Sequence, residues 1–447
     1  MKVLLVSLGC DKNRVDSEYM LGKLLAAGYE VTDEEAQADV IVINTCCFIY
    51  DAQEESVETI LSMAEYKKAG TLKALIVSGC MAERYREEIR REIPEVDACI
   101  GTNSTEAVLE AIESALHGQE YEVFHPLTDV EEHPSGRCVS TGGYYAYLKI
   151  AEGCDKHCTY CIIPKLRGSY RSVPMEVLTA EARKLAESGT KELILVAQET
   201  TVYGQDLYGK KMLPALLAAL NAIEGIEWIR LLYCYPEEVD EELIDAIARN
   251  KKVCHYLDMP IQHINSDILR RMGRRTSRED IESVICLLRQ RIPDIAIRTT
   301  LISGFPGETI EQHEELMQFV NDTEFDRLGV FPYSAEDDTP ACSFPDQVPE
   351  ETRKAWADEV MELQAEVSLD KNREMIGCCM DVLIEGRLAE EDGVYLGRSY
   401  RDAPDIDGYV FVRNEYELLS GTIVPVRITE AYEYDLFGEI VQTQEEC

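Results

Sequence analysis

Three cysteines fall within eight residues, Cys154, Cys158 and Cys161, in the stretch EGCDKHCTYCIIPKLRG (Glu152–Gly168). Thiolates are soft ligands that suit iron–sulfur clusters and zinc. A structural zinc site wants four closed ligands, and no fourth cysteine follows at compatible spacing. His157 is the nearest candidate, but its adjacency to Cys158 makes chelation of the same ion awkward. Three thiolates on a 4Fe–4S cluster leave one iron without a protein ligand, and that iron is where a small molecule can bind.

A second trio is dispersed. Cys10, Cys46 and Cys80 each stand just past a short apolar run: Val3–Ser7, Val40–Asn44 and Ala74–Ser78. Continuous β-branched runs separated by helices indicate a parallel sheet covered on both faces. In such a sheet the loops after the strand carboxyl ends share one edge, where ligands bind. Topology alone therefore brings the three thiolates together as a second metal site, although cysteines are also common in cores near strands. Adjacent side chains leaving a strand point to opposite faces, so Cys46 is the expected ligand. Cys47 is a buried hydrophobe or a spare ligand.

The elements that carry these cysteines form three regions. Residues 1–118 alternate strand and helix. Asp16 and Ser17 offer N-cap chemistry for a helix through Ala27, closed by Gly28. Further helices are expected from about Asp51 to Lys68 and over ERYREEIRRE (Glu83–Glu92). Residues 119–143, with His125, Pro126, His133, Pro134, Ser135 and Gly136, have little periodicity and read as a linker. Residues 144–371 carry six candidate strands, Tyr147–Ala151, Glu192–Ala197, Trp228–Leu232, Tyr256–Met259, Ala296–Ile302 and Arg327–Pro332. Six βα units in a row suggest a barrel, complete or partial. Beyond an acidic helix around Glu350–Arg373, residues 372–447 hold five short candidate strands (Val382–Glu385, Val394–Ser399, Gly408–Val412, Ile423–Ile428, Asp435–Val441), as in a small closed or half-closed β-barrel.

Composition narrows the class. The hydrophobic fraction of 45% is that of a globular protein, and no apolar run approaches the roughly 18 residues of a membrane span. The first strand is too short, and too soon followed by charge, for a signal peptide. A cytoplasmic protein with no membrane partner is expected, and there 16 cysteines point to metal or catalysis rather than disulfides. With 44 basic against 84 acidic residues the net charge is −40. Such a surface repels phosphate backbones and attracts basic partners.

Both trios, with SLGCDKNRVDSE (Ser7–Glu18), LLYCYP (Leu231–Pro236) and PIQH (Pro260–His263), resemble the methylthiotransferases of the radical S-adenosylmethionine (SAM) superfamily over the whole chain. The resemblance implies an α/β architecture: an N-terminal domain with an auxiliary cluster, a central radical SAM partial (βα) barrel and a C-terminal TRAM domain. It implies two 4Fe–4S clusters and SAM, whose reductive cleavage yields a 5′-deoxyadenosyl radical, fed by a reductant such as flavodoxin or ferredoxin. Within the family the chain is similar to the RimO type, which modifies the β-carbon of an aspartate on small-subunit ribosomal protein S-12. The MiaB type, which modifies tRNA adenosine, typically has Gln-Ser-Gly at the position of Gln262-His263. Two departures stand out: Asp11 where the RimO branch often has proline, and Cys47 where it often has glycine. Neither removes a ligand.

The same resemblance places the Tyr160 ring near the adenine of SAM, and Gln198 and Glu199 near its amino group; a loop aromatic and a polar strand end are the plain alternatives. Arg298 suits a planar carboxylate such as that of SAM, or an inward-facing salt bridge. Gly304–Gly307 is a tight turn, since it lacks the lysine and spacing of a phosphate loop. Cys99, Cys138, Cys234, Cys254, Cys286 and Cys447 have no assigned role, and Cys378-Cys379 no metal. Residues 372–447 hold six basic and 17 acidic side chains, which suits a basic ribosomal protein better than tRNA. A non-catalytic iron–sulfur or zinc protein that binds RNA is the rival from another class. Anaerobic reconstitution separates them: about eight irons and eight sulfides per chain are expected, whereas bound zinc without iron would contradict both cluster assignments.

Overall fold

The computed structural model describes residues 1–131, 133–134, 136–389 and 391–441; Ser135 of the linker stretch and Cys447 lie outside the described residues. The first sheet is parallel throughout, in the order Glu30–Val31, Lys2–Ser7, Val40–Thr45, Ala74–Gly79, Ala98–Ile100, Tyr121–Val123. Strands Val40–Thr45 and Ala74–Gly79 are buried at every residue, as a sheet covered on both faces requires. The three predicted strands are present within a residue of their expected ends. The other three, of two or three residues each, carry no apolar run long enough to read, and Tyr121–Val123 falls inside the stretch expected to be linker.

Two helices differ from expectation in a way that matters. The first spans Asp11–Ala26 and starts directly after Cys10. Asp16 and Ser17 are not its N-cap; both are buried on its inner face. Ser17 Oγ donates to Ser7 Oγ (2.8 Å) and accepts from Asn44 Nδ2 (2.9 Å). Side chains suited to capping are spent here on tertiary hydrogen bonds, which local sequence does not reveal. The charged helix breaks at Tyr85 into Cys80–Arg84 and Arg86–Glu92, so that Cys80 opens a helix.

The central sheet has six parallel strands in chain order: Tyr145–Lys149, Glu192–Val196, Trp228–Leu231, Val253–Asp258, Ala296–Ser303 and Arg327–Pro332. Its first and last strands do not pair, which makes it a partial (βα) barrel. Leucines and isoleucines of the surrounding helices pack on its outer face. The C-terminal strands Cys379–Arg387, Val394–Ser399, Val410–Arg413, Leu436–Ile440 and Ile423–Ala431 close into a barrel in that order. Helix Glu350–Glu374 leads into it. Among the described residues no helix is long and apolar enough to cross a membrane.

The C-terminal barrel seals one end of the central sheet. Ala403 packs among Tyr145, Tyr147, Ile194 and Tyr256 on the sheet's inner face. Around it Arg398 pairs with Glu192 (2.7 Å) and Glu385 (2.7 Å), Arg327 with Asp402 (2.9 Å), and Arg401 with Asp326 (2.9 Å). Glu192 and Arg327 are the first residues of their strands, so the sealed end is the amino-terminal one. The carboxyl-terminal end is left for the cysteine loop. Removing one partner of a buried pair leaves an uncompensated charge, worth about 3–5 kcal/mol. Arg327→Leu is expected to lower stability by that order, read as a fall in the urea unfolding midpoint.

Candidate functional site

The dispersed cysteines meet because two glycines let their loops touch. Gly9 has φ +85°, and a Cβ there would lie 2.6 Å from Cys46 Cβ and 2.8 Å from Cys46 Sγ. Gly79 has φ +87°, and a Cβ would lie 2.3 Å from Asn44 Oδ1 and 2.6 Å from the Thr45 carbonyl. Any side chain at either position would push the loops apart. The Cys46 loop is pinned by Ser56, whose Oγ accepts from the Cys46 amide (3.1 Å) and donates to its carbonyl (2.8 Å).

One side chain laces all three loops. Asn13 Nδ2 donates to the carbonyls of Leu8 (2.9 Å) and Thr45 (3.0 Å), and its Oδ1 accepts from the Cys80 thiol at 4.0 Å. Burial, reinforced by the neighbouring thiols, pushes the Cys46 thiol up to about 12, and burial likewise raises Cys80. Without metal these sulfurs stay protonated, so metal binding must release protons. Cys47 is fully buried in an apolar cluster with Ile60 and Met63.

The clustered cysteines follow the first barrel strand at its carboxyl-terminal end. Gly153 (φ +76°) permits the turn, since a Cβ would meet the Ser169 carbonyl at 2.1 Å. The Cys154 amide donates to the Gly168 carbonyl (3.1 Å), and the Lys156 amide to Cys154 Sγ (3.5 Å). The Thr159 amide ties the loop to the Met272 carbonyl (2.9 Å). Cys158 Sγ lies 3.6 Å from the Tyr235 hydroxyl. A cavity of about 650 Å³ is bordered by Cys158, Cys161, His157, Lys165 and Cys342.

The two trios are joined through Arg167, which is fully buried. Its Nη2 donates to Asn13 Oδ1 and to Asp16 Oδ2 (3.0 Å), and its Nη1 to Glu152 Oε2 (2.9 Å). Lys149 pairs with the same two carboxylates. Neither Asn13 nor Arg167 was singled out from sequence, although both lie inside the stretches that carry the family resemblance. Among the described residues no three His, Cys, Asp or Glu side chains gather tightly enough to hold a single ion. Tetrahedral zinc with Zn–S of about 2.3 Å would bring its sulfurs to about 3.8 Å from one another. Trios of soft thiolates are also the donor set of iron–sulfur clusters.

The expected SAM contacts divide. Tyr160 packs edge-on against Phe305 (6.4 Å) beside the cluster loop. Gln198 Nε2 donates to Glu152 Oε1 (3.0 Å), while its Oε1 is buried without a partner. Glu199 accepts from the Thr201 amide (3.0 Å) and hydroxyl through Oε1, while Oε2 has no hydrogen bond. Burial pushes its carboxyl up to about 7, against the pull of Lys156 at 3.8 Å. Arg298 takes the salt-bridge alternative: it pairs with Asp258 (2.9 Å) and with Asp407 (3.3 Å) of the C-terminal barrel. Its partners lie 40 and 109 residues away, beyond any local reading. Sequence reasoning missed Arg274. Its guanidinium lies 4.1 Å over the Tyr235 ring, donates through Nη2 to the Pro260 carbonyl (2.7 Å), and keeps Nε and Nη1 buried and unpartnered. Of the unassigned cysteines, Cys99, Cys234 and Cys254 are buried, and Cys286 and Cys378 exposed.

Comparison with known proteins gives three family matches along the chain. Residues 2–101 match Uncharacterized protein family UPF0004, residues 148–320 the Radical SAM superfamily and residues 376–441 the TRAM domain. Ribosomal protein uS12 methylthiotransferase RimO of Lachnoclostridium phytofermentans is 59% identical over 98% of this chain and 99% of its own. The protein of the same name from Clostridioides difficile is 47% identical over 99% of both. Among solved structures, the radical S-adenosylmethionine methyltransferase TsrM of Kitasatospora setae superposes with TM-score 0.54 at 15% identity, over 88% of this chain and 80% of its own. The cobalamin-dependent S-adenosylmethionine radical enzyme OxsB gives 0.53 at 15% identity, over 81% and 56%. These two likenesses show a shared fold.

Two outcomes are expected. Gly79→Ala, strained by its φ and its contacts, should hold about half the iron of the parent after reconstitution, because only the Cys10 trio is disturbed; full iron would contradict this. A carboxyl whose pKa rises on folding costs stability as pH climbs from its unfolded value through about 7. Glu199→Gln should therefore be more stable than the parent above pH 7, by on the order of 3 kcal/mol, and lose the advantage near pH 5. Denaturant titrations at the two pH values check it.

Proposed function

Since the chain belongs to the RimO family of radical SAM methylthiotransferases, we propose that it adds a methylthio group to the β-carbon of an aspartate in ribosomal protein uS12, small-subunit ribosomal protein S-12. The observation that carries this reading is the bridge from Asn13 through Arg167 to Glu152, which sets two incomplete thiol sites side by side. Attaching sulfur to an unactivated carbon needs a site that opens the C–H bond next to one that presents sulfur, and a lone cluster offers only one of these.

We assign the auxiliary 4Fe–4S cluster to Cys10, Cys46 and Cys80 in residues 1–118. The radical-generating cluster goes to Cys154, Cys158 and Cys161 in residues 144–371, with residues 119–143 as linker and 372–447 as TRAM domain. The donor chemistry fits: three soft sulfurs per site, close-approach glycines beneath them, and a coordination position left over in each. When bound, the clusters and SAM supply one-electron reactivity toward a C–H bond together with sulfur and methyl, which no side chain can provide.

This chain's residues bind and orient. Arg274 has two unpaired donors beside Cys158, the planar fork that a carboxylate such as that of SAM fits. Gln198 Oε1, a buried acceptor without a donor, suits its ammonium group, and Glu199 Oε2, which has no hydrogen bond, faces Lys156 Nζ at 3.8 Å. Tyr160 covers the neighbouring ring position. Arg167, Asp16, Glu152 and Lys149 form a satisfied ionic wall between the two sites.

The rest of the reading concerns partners. The C-terminal barrel serves as a plug rather than a tRNA platform: Arg398 and Arg401 are buried in ion pairs, and Arg387 and Arg413 face Asp392 and Glu430. A basic ribosomal protein meets its acidic surface without repulsion. The reductant is a small one-electron carrier such as flavodoxin or ferredoxin, and the setting cytoplasmic. Mass spectrometry of uS12 from cells lacking this protein should show loss of one SCH₂ unit of mass. A retained increment, or loss of methylthioadenosine from tRNA instead, would reject the assignment.

A further inference from the structure

We propose that Lys12 is the residue that recognises the substrate side chain, by pairing with the carboxylate of the aspartate; this rests on the uS12 reading above. Lys12 stands two residues after Cys10, in the first turn of helix Asp11–Ala26, and is 5% exposed. Its Nζ sits 3.2 Å above the centre of the Tyr233 ring. Among the described residues no carboxylate lies within ion-pair distance of that Nζ, and no acceptor takes its protons. A lysine whose side chain is mostly buried is almost always paired. An exception is odd in a chain where acidic residues outnumber basic ones by nearly two to one.

Neighbouring cations do not share this condition. Arg14 pairs with Asp405 (3.5 Å), Lys149 with Glu152 (2.9 Å), Lys156 with Glu238 (2.6 Å), Arg298 with Asp258 (2.9 Å) and Arg167 with both Asp16 (3.0 Å) and Glu152 (2.9 Å). Arg274 also keeps open donors, and it lies over Tyr235 by Cys158, at the other trio. A cation with unused donors thus stands at each sulfur site, and the reaction brings two carboxylates, that of SAM and that of the aspartate.

The mounting of Lys12 suits a ligand role. A ring face holds an ammonium in place without neutralising it, so its N–H groups remain for an incoming anion. The nearest acid in sequence, Asp11, is engaged by the Tyr233 hydroxyl (3.0 Å). Tyr233 itself is held at φ +61°, a strained conformation for a tyrosine, with its amide donating to Asp258 Oδ2 (2.9 Å). Two residues further on, Tyr235 reaches Cys158. The strand end Tyr233–Tyr235 therefore runs from Lys12, beside Cys10, to the radical trio. In aspartate the β-carbon is bonded directly to the carboxylate carbon. Anchoring the carboxylate on Lys12 thus fixes the reacting C–H bond between the two sites. Glutamate would set its β-carbon one bond further away, and asparagine would bring no charge.

The test uses the full chain, reconstituted anaerobically, and labelled peptides copying the uS12 segment with aspartate or asparagine at the modified position. The parent should bind the aspartate peptide at least about tenfold more tightly than the asparagine peptide. Lys12→Met should bind the asparagine peptide as the parent does, which checks its fold, and show a ratio near one. Lys12→Arg should keep most of the preference. If Lys12→Met loses asparagine-peptide binding, Lys12→Gln carries the same comparison. A Lys12→Met or Lys12→Gln that retains the parent's preference overturns the assignment of Lys12 alone. A parent that binds neither peptide overturns it together with the uS12 reading.

Discussion

The Asn13 side chain and the Arg167 guanidinium that holds it are the contact on which the geometry of both sites rests. Asn13 fastens the backbone before Cys10 and the backbone before Cys46 through its amide hydrogens, and meets the Cys80 thiol with its oxygen. Arg167 fixes that oxygen from the far side, and in the same fork grips Asp16 on the first helix and Glu152 beside Cys154. A planar guanidinium is suited to this because its donors diverge at fixed angles. A buried network of this kind adds little net stability, since desolvation offsets most of its Coulomb energy. What it specifies is position: two chain regions more than a hundred residues apart come to share one register.

The C-terminal barrel applies the same principle at the opposite end of the central sheet. Pairs such as Arg398 with Glu192 and Arg327 with Asp402 dock it against the amino-terminal strand ends. Its inward segment around Ala403 fills the space between the inner tyrosines. Access is thereby confined to the carboxyl-terminal face, where both thiol trios lie. Two of the barrel's arginines, Arg398 and Arg401, are spent on this docking.

Much of this was readable from sequence because the physics involved is local or topological. Apolar runs of fixed length gave the sheet strands, and their parallel order alone put Cys10, Cys46 and Cys80 on one edge. The tight spacing of Cys154, Cys158 and Cys161 needs no fold to be recognised. What escaped reading depends on contacts between distant side chains. Asp16 and Ser17 look like helix caps until Arg167, Lys149 and Asn44 are seen to use them. Arg298 looks like a ligand for an anion until Asp258 and Asp407 arrive. Arg274 and Lys12 carry no local signature, because what marks them is the lack of a partner in a buried place, a property of the packed molecule only.

The central claim is that two three-sulfur sites, each with one metal position free of side chains, sit on either side of the Arg167 network. Anomalous diffraction at the iron edge from anaerobically grown crystals tests it most directly. Two compact iron peaks are expected, one against Cys10, Cys46 and Cys80 and the other against Cys154, Cys158 and Cys161, each touching three sulfurs. A single peak, or a fourth protein side chain ligating either one, would contradict the account.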